Sequence, residues 1–78
     1  MNETSGLLRP AVEAYLNREP MTLFQIATMR AYLRQWIEAP TWQGAAVDRL
    51  RADVDGIFSR EAITRWLMRA ASAGIDPL

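Results

Sequence analysis

Histidine, cysteine and lysine are all missing from this chain: His and Cys each count zero, and the nine basic residues are all arginine. Without His or Cys, the usual zinc ligands, the usual general base near neutral pH and the most reactive side-chain nucleophile are gone. Without Lys there is no amine for a Schiff base and no P-loop lysine to hold a phosphate. Disulfides are excluded, which leaves the redox compartment open. The three serines have no histidine to activate them. The sequence therefore points away from an enzyme, and no cofactor or metal is expected.

An excess of one charge is also lacking. Nine acidic residues balance nine basic ones, and the pI is near 6.2. Such a balance gives no overall attraction to nucleic acid or an anionic membrane, although a local patch remains possible. No apolar run approaches the roughly 20 residues of a membrane span. The opening MNETSGLLRPAVEAYL carries neither a basic n-region nor an apolar h-region. A cytoplasmic location is expected.

Half of the 78 residues are hydrophobic, enough for one globular domain over 1–78 and too many for a disordered chain. A domain this short buries only about 60% of its unfolded surface, so its core is thin. Its stability falls at about 4–12 kcal/mol on a per-residue scale.

Positions 1–5 are polar and expected to be loose. A first helix should start at Gly6 or Leu7 and end at Asn17, with Pro10 tolerated in its first turn and Leu8, Val12, Tyr15 and Leu16 on one side. Pro20 breaks the chain after it. The second helix, 23–38, carries the strongest signals. Thr22 and Gln25 form a capping-box pattern. Successive 100° steps place Leu23, Ile26, Met29, Leu33, Trp36 and Ile37 on one arc of roughly 180°, with Tyr32 at its edge. A third helix over 45–55 shows the stripe Val47, Leu50, Val54 and a charged outer face. There Asp48 can pair with Arg51, Arg49 with Asp53, and Arg51 with Asp55. Gly56 should close it in the left-handed conformation. A fourth helix, about 59–73, opens at the N-cap Ser59, presents Ile63, Trp66, Leu67 and Ala70 on one face, and closes at Gly74, after which Ile75 can fold back. The expected fold is all-α: a small bundle of four short helices around a central second one.

Motifs for chemistry are sparse. Asp53-Val54-Asp55-Gly56 resembles the start of a calcium loop, but the twelfth position counted from Asp53 is Thr64, where a bidentate Glu is required. The segment DRLRADVDGIFSREAITRWL (48–67) has the helix, glycine turn and helix of a DNA reader. On that reading Arg60, Arg65 and Arg69 would meet phosphates or bases. Asp48, Asp53, Asp55 and Glu61 would then crowd the phosphates, and Arg51, Asp55 and Arg65 would occupy positions that motif keeps apolar.

The stretch MRAYLRQWIEAPTW (29–42) offers a second reading. Leu33, Trp36 and Ile37 fit a core. Arg30 falls on the apolar arc, where it either lifts its head to water or marks a surface that a second chain completes. Trp42 follows Pro40 in a loop, and no helical period places it inside. Phe24 and Met68 fall outside the apolar arcs of their helices. Arg30, Arg34, Trp42, Phe24 and Met68 are therefore the expected contact residues of a non-catalytic protein-binding module, a small regulator, inhibitor or subunit whose partner is another protein or a second copy. A DNA-binding regulator using the helix at about 59–73 is the alternative. The exclusive use of arginine has two explanations: a coding bias, or demand for a planar fork that stacks and bonds in pairs where lysine cannot.

Overall fold

The computed structural model describes residues 3–77, with side chains from Gly6 onward. The fold is all-α: α1 (Glu3–Leu16), α2 (Leu23–Ile37), α3 (Ala45–Asp53), a 3₁₀ turn (Val54–Gly56) and α4 (Arg60–Ser72). No strand occurs among the described residues. The molecule measures 32 × 29 × 19 Å. Helix axes pack about 8–10 Å apart, so the short dimension admits two helix layers. α2 touches α1, α3, the 3₁₀ turn and α4, and is the central helix. In a slab two layers deep it still keeps one side open to solvent.

The core follows the expected periodicity in α2, α3 and α4. Ile26, Met29, Leu33 and Ile37 of α2 meet Val47 and Leu50 of α3, Val54 and Ile57 beyond it, Ile63, Trp66 and Ala70 of α4, and Ala11 of α1. Trp66 is 2% exposed and donates its indole N–H to the Leu50 carbonyl at 2.9 Å. Ile75 folds back as expected. It is buried, and its N–H bonds the Ala70 carbonyl at 2.9 Å while Gly74 takes φ +80°. The Tyr32 hydroxyl donates to the Pro77 carbonyl at 2.8 Å and ties this tail to α2. Thr22 and Gln25 close both bonds of the capping box. Ser59 caps α4 through the Ala62 N–H.

Several expectations are corrected. Of the segment 1–5, Met1 and Asn2 lie outside the described residues, and 3–5 open α1. Pro10 therefore sits inside that helix and not in its first turn. The missing N–H leaves the Gly6 carbonyl without its i+4 donor. Small residues carry α1 onto the core: Ala11 and Ala14 are buried, Leu8, Val12 and Tyr15 are half-buried, and Leu16 is exposed. Leu23 is 81% exposed, because it opens α2 at the edge of the apolar arc. Gly56 does not take the left-handed conformation. The chain tightens into the 3₁₀ turn there, with the Ile57 N–H reaching the Val54 carbonyl at 3.3 Å.

The left-handed position lies instead at Arg18, φ +58°. The Glu19 N–H bonds the Ala14 carbonyl at 2.9 Å and the Arg18 N–H bonds the Tyr15 carbonyl at 3.2 Å, a Schellman closure of α1. A residue with a Cβ pays about 1–2 kcal/mol in this region. Arg18→Gly removes that strain but adds freedom to the unfolded chain. A net gain of about 0.5–1 kcal/mol is expected, read by calorimetry as a melting point about 2–8 °C higher. An unchanged or lower melting point would show that Arg18 is not strained.

Candidate functional site

Three arginines turn inward. Arg51 donates from Nε to the Ile37 carbonyl at 3.0 Å and from Nη2 to those of Ala39 at 3.3 Å and Trp42 at 2.8 Å. It thereby satisfies carbonyls at the C-terminal end of α2, where helical partners run out. Arg60 donates to the carbonyls of Tyr15 at 2.9 Å, Ala14 at 3.2 Å and Glu19, and its guanidinium lies 5.5 Å from the Tyr15 ring centre. A cation at the first turn of α4 opposes that helix's dipole but suits the C-terminus of α1, which it closes. Arg30 is half-buried and donates to the Ile57 carbonyl at 2.8 Å, with its guanidinium 4.8 Å from the Phe58 ring centre. Its hydrogen-bond acceptor lies in its own chain, so no second chain is required to supply one.

The ion pairs also differ from the local ones expected. Asp48 does pair with Arg51, at 3.6 Å. Asp53 pairs with Arg69 of α4 at 2.6 Å and not with Arg49, and Asp55 pairs with Arg34 of α2 at 3.5 Å and not with Arg51. Asp53 and Asp55 thus pair with arginines of other helices, while Arg51 is turned toward backbone carbonyls.

Two of the exposed large apolar residues, Leu7 and Phe24, meet at the open side of α2. Phe24, Ala27, Thr28 and Ala31 line a hollow of about 260 Å³ whose far wall is Leu7 of α1. A second hollow of about 450 Å³ continues from the same Ala27 and Ala31 along Arg30, Arg34, Gln35 and Glu38 to Asp55. Arg34 bridges Glu38 at 3.4 Å and Asp55 at 3.5 Å. Phe58, 67% exposed under Arg30, borders this side, and Phe24 is 60% exposed. One face thus carries Leu7, Phe24, Phe58, Arg30 and Arg34.

Three of the expected contact residues, Phe24, Arg30 and Arg34, come together there. Trp42 lies elsewhere: its ring packs on Trp36 at 4.8 Å between centroids, tilted 33°, and it is half-buried. Met68 is 66% exposed on the outer side of α4, as its position implied. Of the arginines named for nucleic acid, Arg60 is spent on α1 and Arg69 on Asp53, whereas Arg65 makes no ion pair among the described residues. Leu7 and Phe58 were missed by sequence reasoning. Phe58 precedes the N-cap Ser59, the place of a hydrophobic staple, yet Ile57 takes the buried position and leaves Phe58 outside.

No helix among the described residues is long and apolar enough to cross a membrane. Comparison with family models, with curated proteins and with solved structures gave no match.

Proposed function

We propose that this chain is a non-catalytic protein-binding module, a small regulator, inhibitor or subunit that acts by occluding or bridging a partner through the open side of α2. One observation carries the reading: Leu7, Phe24 and Phe58 stay open to solvent around a single hollow face that also presents Arg30 and Arg34. Scattered apolar residues are ordinary on a surface; a connected group rimmed by charges marks a contact. Phenylalanine and arginine are also enriched where proteins touch. The core does not need these side chains, since its buried set is complete without them.

The test is capture from native lysate with nuclease present, comparing the wild type with Phe24→Ala and Arg34→Ala. A protein partner should be retained by the wild type and lost by about tenfold or more in each variant, the range for residues central to an interface. Trp42→Ala should retain it. Duplex binding with a steep salt dependence, weakened by Arg65→Ala and indifferent to Phe24→Ala, would replace this reading with the DNA-binding one.

A further inference from the structure

Where the end of α1 meets α4, Tyr15, Leu16, Arg18, Arg60 and Thr64 line a hollow of about 430 Å³. It shares no residue with the hollows on the open side of α2. We infer that it holds the phosphate group of a small organic phosphate monoester, with Arg18 supplying the uncommitted charge. Backbone conformation is the first argument. Arg18 holds φ +58° at the closing turn of α1, a place that glycine fills without strain. Its side chain makes no hydrogen bond or ion pair among the described residues, so nothing in the fold repays that conformation. Strain of this kind gathers at binding sites, where the side chain serves a ligand.

Charge is the second argument. Two guanidinium groups line the hollow and no carboxylate does. Arg60 gives both Nη2 protons and one on Nη1 to the carbonyls of Ala14, Glu19 and Tyr15. Those bonds fix the group in place and leave its Nε–H and the other Nη1–H uncommitted. Tyr15 Oη and Thr64 Oγ1 lie 2.9 Å apart. One donates to the other, so one O–H is left to turn toward a ligand. Every polar group the side chains offer there is therefore a donor. A phosphate monoester brings a charge of about −1.5 to −2 and several acceptor oxygens. A carboxylate brings less charge and fewer oxygens, which suits one arginine and not two. The rest of the wall is apolar: Leu16, 61% exposed, stands beside the Tyr15 ring and faces the group that carries the phosphate. The volume lies in the roughly 300–1,000 Å³ range of small-molecule sites.

The probe is phenyl phosphate at low ionic strength, followed by amide and arginine Nε–H chemical shifts. Saturable shifts at Leu16, Arg18, Arg60 and Thr64 are expected, with a dissociation constant of about 0.1–1 mM. Benzoate, which keeps the ring and exchanges the phosphate for a carboxylate, should bind about tenfold more weakly. Arg18→Gln should weaken phenyl phosphate by about tenfold or more, the share of a charge-assisted contact. Arg18→Gly should bind as poorly as Arg18→Gln while melting higher than the wild type, which separates loss of the ligand from loss of the fold. Arg65→Gln removes another arginine without an ion pair among the described residues and should leave the affinity unchanged. Arg60 is kept, because its bonds close α1. Shifts that do not saturate, full affinity in Arg18→Gln, or benzoate bound as tightly as phenyl phosphate would overturn the inference. The reading of the α2 face depends on none of these results.

Discussion

Replacing Trp66 by alanine should remove about 3–5 kcal/mol, the cost of emptying a large aromatic site in a packed core. The residue is 2% exposed and lies among Leu33, Ile37, Leu50 and Ile63 in one continuous cluster. A chain of this length holds only about 4–12 kcal/mol in total. The loss thus takes about a quarter of the stability at the very least, and a melting point lower by more than about 12 °C is expected. Trp66→Phe separates packing from polarity. It keeps most of the volume but strips the Leu50 carbonyl of its 2.9 Å indole donor, so about 1–2 kcal/mol should go. Urea denaturation followed by circular dichroism reads both. A Trp66→Ala variant within about 1 kcal/mol of the wild type would mean that α4 is not seated on this indole.

The second large effect belongs to Arg51. Its guanidinium serves the carbonyls of Ile37, Ala39 and Trp42 at once. Bonds from a charged donor contribute about 1.5–3 kcal/mol when desolvated, and the partial exposure of this side chain lowers the figure. Arg51→Ala should cost about 2–3 kcal/mol, and Arg51→Lys about 1–2 kcal/mol, because a point-like ammonium cannot reproduce a planar fork reaching three oxygens. The loss is also local. The segment from Glu38 to Trp42 should open, and the contact between Trp36 and Trp42 should loosen. Faster amide exchange at Trp42, whose N–H bonds the Ala39 carbonyl at 3.1 Å, is the readout. If lysine substitutes without cost, the arginine is a surface charge and its carbonyl bonds carry no weight. The inward arginines Arg30, Arg51 and Arg60 supply a structural use for a basic residue that lysine fills poorly. Coding bias alone does not account for guanidinium groups that reach carbonyls at helix ends and loops.

What was legible in the sequence is what repeats or sits at a fixed offset. The capping box of Thr22 and Gln25, the cap at Ser59, the closing Gly74, the returning Ile75 and the buried stripes of α2, α3 and α4 all follow from spacing alone. Gly56 shows the limit: a glycine at a helix end permits the left-handed turn but does not impose it, and Arg18 took that conformation at the end of α1 instead. The clasp made by Arg60 spans 41 to 46 residues and that of Arg51 spans 9 to 14. No periodicity encodes such reach, so both side chains read as surface charge. The candidate face was half legible. Phe24 and Arg30 stood out because they break the pattern of their helix, whereas Leu7 and Phe58 join them only through packing between elements distant in sequence.

The claim that the open side of α2 is the working surface is most directly tested by amide chemical shifts of the isotope-labelled chain, followed as the protein it captures from lysate is added. The account predicts shifts on addition at Leu7, at Phe24, Ala27 and Ala31, and at Phe58, with Met68 and Trp42 silent. Shifts centred on Met68 and Arg65, or on the paired rings of Trp36 and Trp42, would contradict it.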